Sequence, residues 1–325
     1  MHALPAEFAL IARHFRPLAG EGALGLGDDA AVLAVPAGRE LVIAADAIVA
    51  GVHFLPDDPP DLVARKLLRT NLSDLAAMGA APLGYLTTVS VPKDTPDAWF
   101  AGFAAGLAAD QAAFGLHLLG GDTTSTPGPV SLSLTILGTV AAGCAVRRAG
   151  ALAGHGIWVS GTIGDGALGL LAATGRLDDP TGCLAGRYRL PRPRLALGLR
   201  LHGVAAAAMD VSDGLVQDLG HLCRAGGVAA EIEAACLPLS DAARAAGPAL
   251  LMRCLTGGDD YELLMAVAPE NEAALQRAAI ETNIAATRIG HFRAGPPHVT
   301  VRDPDGAALR IGAGGNDHGG WSHFA

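Results

Sequence analysis

The sequence predicts a mixed α/β protein, of the α+β kind, with two domains. The chain has 325 residues, and a typical size of ~150 residues per domain gives two of them. Half of the residues are hydrophobic and 17% are charged, which excludes a disordered chain and a coiled coil. Short β-type runs alternate with helical patterns in both halves, and this alternation indicates sheets combined with helices in each domain.

The first half contains six predicted elements. Leucines recur at helical spacing in residues 60–78, whereas residues 130–136 alternate between apolar and polar side chains, as in a half-buried strand. Asp97 lies at the start of the next helical pattern, where it suits an N-cap position. The elements are a strand at 40–45, a helix at 60–78, a strand at 83–91, a helix at 97–114, and strands at 116–119 and 130–140.

A domain boundary is predicted near residue 147. Residues 143–156 are rich in Gly and Ala and contain Arg147 and Arg148 side by side, a composition typical of a crossing between domains. The domains are therefore expected at 1–147 and 148–325. The second domain has predicted strands at 156–160, 228–232, 262–267 and 299–301, an apolar run at 204–209, and helices after Gly166, at 194–202 and at 214–225.

Charge and cysteine usage exclude several classes of protein. The formal net charge is −9 and the chain has no Lys/Arg-rich run, so nucleic acid is not expected as a partner. The longest uncharged stretch, 123–146, combines prolines with strand-like alternation, so no membrane association is expected. Residues 1–16 lack the pattern of a secretory signal. Five scattered cysteines, never spaced C-x-x-C, disfavour zinc sites and disulfides and favour a cytoplasmic location.

Aspartates gather beside glycines at predicted turns. Because glycine permits close backbone approach, short carboxylates next to it can converge on a small cation. Such oxygen-rich sites suit Mg²⁺, which bridges protein carboxylates to substrate phosphates. Any single Gly-Asp pair is better explained as a turn or a helix cap than as a metal site. The magnesium hypothesis therefore depends on the whole set of six places, at 27–29, 46, 73–74, 121–122, 210–214 and 257–260.

Signature motifs of other nucleotide enzymes are absent from the sequence. It contains no G-x-x-x-x-G-K-[ST], and neither Lys66 nor Lys93 lies near a Gly-rich turn, which excludes a P-loop. Residues 161–166 are spaced G-x-x-G-x-G rather than as a dinucleotide fingerprint, and we interpret these glycines as structural. G-x-S-x-G and H-E-x-x-H are also missing. Metal-assisted phosphate chemistry remains as the prediction.

Six segments then occur in a characteristic order along nearly the whole chain, at 25–32, 49–54, 71–79, 120–124, 210–215 and 257–263. This ordered series resembles the motifs of the thiamine-monophosphate kinase family. The resemblance implies an aminoimidazole-ribonucleotide-synthetase-like fold, with an N-terminal ATP- and Mg²⁺-binding sheet domain that dimerises and a C-terminal α/β domain that completes the active site. It also implies ATP-dependent phosphorylation of thiamine monophosphate to thiamine diphosphate, with several Mg²⁺ ions.

The resemblance also assigns roles to individual residues. It implies Mg²⁺ ligands at Asp29, Asp46, Asp74, Asp122, Asp210 and Asp213. ATP contacts are implied at Gly121, Asp122, Arg148 and Ser212, and contacts to thiamine monophosphate at His53, Asp259 and Trp321. For Trp321 a core position is an equal alternative, since tryptophan is usually well buried.

Two positions depart from the family pattern. The family generally has a hydroxyl residue before the third aspartate of the series, whereas here Ala45 precedes Asp46, which puts one metal contact in doubt. The family has the sequence Gly-Gly-Glu-Asp-Tyr-Glu, and this chain has Asp259 at the position of its first Glu, so the side chain here is one methylene shorter.

The expected mechanism is direct in-line transfer of the γ-phosphoryl group. The acceptor phosphate is already largely ionised near neutral pH, so the prediction includes no covalent intermediate and no catalytic residue beyond the metal cluster. One rival, a selenophosphate synthetase, is expected to have a reactive Cys in residues 1–27, where this chain has none. The other rival is a non-catalytic sensor of nucleotides or divalent cations.

Overall fold

A computed structural model describes residues 6–311 and 319–321. The chain divides into two compact units, one formed by 1–75 with 81–143 and the other by 76–80 with 144–325. Each unit has its own sheet and helices, so the predicted α/β class is confirmed. No helix within the described residues is long and apolar enough to cross a membrane.

Within the described residues, the first unit contains one four-stranded sheet and three helices. The helices and strands are α1 (Ala6–Leu10), β1 (Arg39–Val49), α2 (Pro60–Ala77), β2 (Ala81–Val91), α3 (Asp97–Phe114), β3 (His117–Ser125) and β4 (Ser131–Ala141). Short 3₁₀ and π-helical turns at 11–26 follow α1. The strand order is β1-β4-β2-β3, in which β4 pairs antiparallel with β1 and β2, and β2 pairs parallel with β3.

The two long helices of this unit pack on one face of its sheet. A Cβ atom at Gly138 of β4 would lie only 2.9 Å from the methyl groups of Leu75 on α2, so this helix packs directly against the strand. On α3, Gln111 donates a hydrogen bond of 3.1 Å to the hydroxyl of buried Tyr85 in β2. The opposite face of the sheet leaves large apolar side chains exposed, at Leu41, Ile43 and Leu86.

The second unit contains a six-stranded sheet. Its strands are β5 (Gly156–Ser160), β6 (Ala207–Asp210), β7 (Ala229–Glu233), β8 (Leu263–Val267), β9 (Ala286–Arg293) and β10 (Val299–Arg302). Their order is β10-β7-β9-β5-β8-β6, and among these described strands only the β10–β7 pair is parallel. Its helices are α4 (Asp165–Ala173), α5 (Cys183–Arg189), α6 (Leu195–Gly198), α7 (Leu215–Gly226), α8 (Asp241–Ala245), α9 (Leu251–Thr256) and α10 (Glu272–Thr282).

The structure differs from the sequence prediction in a few elements. The helix expected at 194–202 ends at Gly198, because glycine propagates a helix poorly and Gly203 then turns with a φ of 74°. The sequence analysis did not predict β9, although it lies inside the sheet between β7 and β5. Its sequence ATRIGHFR lacks a clear apolar alternation, and only pairing on both sides makes it a strand. Helices α1, α5, α8, α9 and α10 were also not predicted.

A buried ion-pair network joins α2 to α3. The Asp110 carboxylate is fully buried and accepts hydrogen bonds from Arg65 Nε at 3.0 Å and from Arg69 Nε at 2.6 Å. Arg69 also donates from Nη2 at 2.9 Å, which makes its contact bidentate. Its guanidinium lies 5.4 Å from the centroid of the Phe114 ring. Loss of the single carboxylate would leave two buried or half-buried cations without their anion.

We therefore expect Asp110→Ala to lower the free energy of unfolding of the first unit by about 3–5 kcal/mol, the usual cost of removing one partner from a buried ion pair. Asp97→Ala is the matched control, because Asp97 pairs with Arg13 and His14 at the surface and exposed pairs contribute about 0–1 kcal/mol. Urea denaturation followed by circular dichroism measures both. Equal losses in the two variants would contradict a stabilising role for the buried network.

Candidate active site

The predicted metal-ligand aspartates of the first unit lie on four different elements, namely a loop, β1, α2 and β3. Asp29 is exposed in the loop that follows the left-handed residues Leu24 to Leu26. Asp46 lies on β1 opposite Leu134, and Asp122 lies on β3 opposite Thr88. Because β1 and β3 are the two edges of the sheet, three strand spacings separate them, roughly 14 Å along the sheet. Asp46 and Asp122 of one chain are therefore too far apart to share one ion.

Strand alternation separates Ala45 from Asp46. Ala45 belongs to the exposed face of β1 together with Ile43, whereas Asp46 belongs to the face of buried Val42 and Ile48. A hydroxyl introduced at residue 45 would thus point away from the face that holds the Asp46 carboxylate.

Gly121 is explained by its packing. A side chain at this position would place its Cβ only 1.9 Å from the carbonyl oxygen of Thr87 on the neighbouring strand. Close approach of β3 to β2 therefore requires glycine here, and Asp122, the next residue on β3, is exposed.

His53 is held in a defined tautomer. Its Nδ1 accepts a hydrogen bond of 3.0 Å from the backbone N–H of Val49, so the hydrogen of the neutral ring lies on Nε2. The buried ammonium of Lys66 donates to the His53 carbonyl oxygen at 2.8 Å and fixes the same turn. The half-buried imidazole thus presents a donor, which suits a phosphate oxygen.

Asp74 lies on α2 beside two unsatisfied oxygens. Asn71 Oδ1 and Ser73 Oγ are buried and have no hydrogen-bond partner among the described residues. A buried polar atom without a partner costs about 1–3 kcal/mol. Asn71 and Asp74 are three residues apart and share one face of the helix. Their hard oxygen atoms fit a magnesium ion or its bound water.

In the second unit, β6 ends in a turn rich in carboxylates. Asp210 is buried at the end of the strand, and Asp213 follows it in the turn before α7. The Asp218 carboxylate accepts hydrogen bonds from the backbone N–H groups of Ser212, Asp213 and Gly214, at 3.0, 3.1 and 3.1 Å. Burial, reinforced by the charges of Asp210 and Asp213, raises the pKa of Asp218 well above its ordinary value. This local excess of negative charge favours a bound cation.

The same turn brings together four residues with predicted roles, Ser212, Asp213, Asp259 and Trp321. The backbone N–H of Asp259 donates to the Ser212 carbonyl at 2.9 Å, and that of Trp321 donates to the Asp213 carbonyl at 3.0 Å. Gln217 links Asp213 Oδ2 to the Trp321 carbonyl oxygen. Trp321 is 51% exposed, so it is not a core residue. Residues 322–325, which follow Trp321, lie outside the described residues.

Arg148 is exposed in the second unit, next to Arg147, whose carbonyl oxygen accepts a hydrogen bond of 3.0 Å from the N–H of Ala208 on β6. Partial burial, with the charges of Arg224 and Arg148, lowers the pKa of His221, while Asp213 opposes this shift. Arg148 and Asp213 thus both lie close enough to His221 to affect its pKa, and an exposed guanidinium suits contact with an anionic phosphate.

The glycines at 161–166 have a structural role, as interpreted from the sequence. The backbone N–H groups of Gly164 and Gly166 donate to the Asp260 carboxylate at 2.7 and 2.9 Å. A Cβ at Gly166 would lie 2.3 Å from the backbone of Asp259. Burial raises the pKa of Asp260 to about 8, against the effect of these two donors and of Arg187.

Sequence reasoning missed the buried residues that support this region. Arg187 and Arg194 both pair with the buried carboxylate of Glu262. The sequence contains only a weak indication of these ion pairs. Residues 187–194 include four arginines in a chain that has few cationic residues.

The described residues contain no group of three or more His, Cys, Asp or Glu side chains arranged to hold a metal ion. The structure thus places the predicted ligands in separate sets, of which the Asp210–Asp213 turn and the Asn71–Asp74 face have the donor chemistry that magnesium requires.

Known proteins match the chain over most of its length. The family of AIR synthase related proteins matches with its N-terminal domain over residues 27–140 and its C-terminal domain over 153–302. A thiamine-monophosphate kinase of Caulobacter vibrioides is 47% identical over 298 residues, which cover 89% of this chain and 84% of that protein.

Two solved structures are similar in fold. Thiamine-monophosphate kinase from Stenotrophomonas maltophilia K279a is 42% identical, with a TM-score of 0.83 over 94% of this chain and 98% of that chain. AaThiL, solved in complex with AMPPCP and TMP, is 28% identical, with a TM-score of 0.76 over all of both chains. The chain therefore belongs to the AIR synthase related proteins and, among them, to the thiamine-monophosphate kinase family.

Proposed function

We propose that the protein transfers the γ-phosphoryl group of ATP to thiamine monophosphate and forms thiamine diphosphate. The main support is the match to thiamine-monophosphate kinases over nearly the whole chain. The structure of the AaThiL relative, which contains AMPPCP and TMP, supports the same pair of substrates. Retention of the six motif segments in order agrees with this activity.

We propose Asp29, Asp46, Asp74 and Asp122 in the first unit, and Asp210 and Asp213 in the second, as ligands of several Mg²⁺ ions. Bound magnesium supplies positive charge that reduces the repulsion between two anionic phosphates. Since Asp46 and Asp122 of one chain lie on opposite edges of its sheet, these two residues of the same chain serve different ions. Asn71 and Ser73 add neutral oxygens beside Asp74.

The substrates are proposed to contact side chains outside the carboxylate sets. The exposed guanidinium of Arg148 suits an ATP phosphate, and Gly121, Asp122 and Ser212 complete the ATP contacts. His53 presents Nε2–H to a phosphate oxygen of the acceptor. The thiazolium and aminopyrimidine rings of thiamine suit the Trp321 ring and the Asp259 carboxylate.

Transfer is proposed to be direct and in line. The acceptor is a phosphate monoester whose second pKa is about 6, so it is mostly dianionic at neutral pH and needs no general base. The protein's residues therefore hold the reactants in line and neutralise charge, and none of them forms a covalent bond to the phosphoryl group.

We further propose that the protein is a homodimer formed through the exposed face of the first sheet. Leu41, Ile43 and Leu86 project from this face, and register pairs Ile43 with Leu137 in the same layer. An apolar sheet face of this kind is typical of a surface covered by another chain. A second copy is the proposed occupant because the family resemblance implies dimerisation through this domain. A cytoplasmic location agrees with the five free cysteines.

The activity is tested by incubating the purified protein with ATP, Mg²⁺ and thiamine monophosphate and separating the products by chromatography. We expect thiamine diphosphate and ADP in equal amounts, no product with unphosphorylated thiamine, and loss of turnover when EDTA removes the metal. ATP binding without consumption would instead support a nucleotide sensor.

Asp74→Asn is expected to lower kcat by at least about 100-fold, because the amide retains shape but loses the charge that holds a metal ion. Thermal unfolding should remain unchanged, since Asp74 is only half-buried. Asp94→Asn makes the same change at an exposed position and should retain full activity. Near-normal turnover of Asp74→Asn at saturating Mg²⁺ would remove Asp74 from the site.

Ile43→Glu is expected to convert the dimer to a monomer, because it places charges in the apolar face of both copies. Ile280→Glu makes the same substitution at a side chain that is 80% exposed on α10 and should leave the mass unchanged. Light scattering coupled to gel filtration measures the mass of each variant. A monomeric wild-type protein, or a dimeric Ile43→Glu variant, would argue against this interface.

A further inference from the structure

Residues 259–262 alternate between the interior and the surface of the second unit. Asp260 and Glu262 are fully buried, whereas Asp259 and Tyr261 are half-buried. Asp259 and Tyr261 have φ angles of 69° and 52°, in the left-handed region that disfavours residues other than glycine. Such a conformation persists only where surrounding contacts enforce it.

Buried charged groups on the interior side of residues 259–262 hold this segment in its left-handed conformation. Asp260 is bound by two backbone N–H groups of the 161–166 turn, and Arg187 Nη2 donates to its carbonyl oxygen at 3.1 Å. Glu262 accepts hydrogen bonds from Arg187 at 3.1 Å, from Arg194 Nε at 2.6 Å and from Ser160 Oγ at 2.6 Å. The two inner carboxylates therefore cannot turn outward without breaking several charge-assisted hydrogen bonds.

Backbone hydrogen bonds hold the same segment on a second side. The N–H of Asp259 bonds to the carbonyl of Ser212 at 2.9 Å, and that of Tyr261 bonds to the carbonyl of Val211 at 2.8 Å. A Cβ at Gly258 would lie 2.1 Å from the Ser212 carbonyl oxygen, so the two turns touch directly. The backbone of 259–261 is thereby fixed beside the turn that contains Asp213.

The two outer side chains meet each other. The Tyr261 hydroxyl donates to Asp259 Oδ1 at 3.3 Å. This distance is long for an O–H···O contact, and such contacts shorten when a ligand closes the site. With the backbone fixed, the remaining freedom of the Asp259 carboxylate is rotation about its side-chain bonds, and the phenol hydroxyl restricts that rotation.

We propose that Tyr261 is a positioning residue that orients the Asp259 carboxylate toward the acceptor substrate. This inference rests on the proposed function, in which Asp259 contacts thiamine monophosphate. An aspartate held in one rotamer loses less entropy on binding the cationic thiazolium or the amino group of the pyrimidine. Tyr261 therefore increases affinity for the acceptor, and it contributes to neither ATP binding nor the chemical step.

The test compares Tyr261→Phe, Asp259→Ala and the double variant with the wild-type protein. We expect Tyr261→Phe to raise KM for thiamine monophosphate about 3- to 10-fold, the range of one weak charge-assisted hydrogen bond, with kcat and KM for ATP unchanged. In the Asp259→Ala background the same change should have no further effect, because the hydroxyl then has no carboxylate to orient. Calorimetric titration with thiamine monophosphate, in the presence of a non-hydrolysable ATP analogue, should show the same pattern in Kd.

Tyr85→Phe is the matched control. It also removes one phenol hydroxyl, but in the first unit, where Gln111 binds it; it should affect thermal stability and leave KM for thiamine monophosphate unchanged. Circular dichroism verifies that each variant is folded. Should Tyr261→Phe not fold, Asp259→Asn replaces it: the amide keeps an acceptor for the hydroxyl, so under the proposal it should raise KM less than Asp259→Ala.

The outcomes separate this inference from the proposed function. A wild-type protein that does not phosphorylate thiamine monophosphate overturns both. An active wild type in which Asp259→Ala raises KM but Tyr261→Phe does not, or in which the two effects simply multiply in the double variant, overturns the role of Tyr261 alone. A rise in KM for ATP equal to that for the acceptor would show a general structural effect and would also overturn it.

Discussion

The buried Glu262 carboxylate, with two arginines around it, is the interaction on which the candidate site of the second unit depends. Arg187 and Arg194 join it from outside the motif segments, and Ser160 joins it from the end of β5. A charge removed from water in this way needs partners on every side. Satisfying Glu262 therefore fixes the position of the whole 257–262 segment relative to the sheet.

Close backbone contact extends this constraint to the neighbouring turns. The 161–166 turn approaches Asp259 through Gly166, and the 210–214 turn approaches Thr256 through Gly214, which has a φ of 123°. Any side chain at these glycines would collide with a main chain, which is harder to displace than a flexible side chain. The three turns thus behave as one rigid support for Asp213, Asp259 and Trp321.

The sheet of the first unit has one covered face and one exposed face. Helices α2 and α3, which the Asp110 network holds together, cover one face, and the leucines of β4 are buried on it. The other face remains apolar and exposed. Candidate metal ligands of this unit lie on a loop, on the two edge strands and on one helix, and the sheet separates Asp46 from Asp122, whose carboxylates would otherwise repel each other at close range.

Local patterns in the sequence determined much of this protein. Helical spacing of leucines located α2, polar alternation located β4, and the aspartates beside glycines identified the turns at 210–214 and 257–260. These features depend on residues a few positions apart, so the sequence alone contains them. The turns expected from the same pattern at 46, 73–74 and 121–122 are wrong, because these residues lie within β1, α2 and β3. The tertiary structure alone decided which strands became neighbours and which polar groups became buried. It made a strand of β9, put Ala45 and Asp46 on opposite faces, and separated Asp46 from Asp122. It also gave Tyr261 and Glu262 partners, because pairing and burial depend on contacts between residues far apart in the chain, which no local spacing encodes.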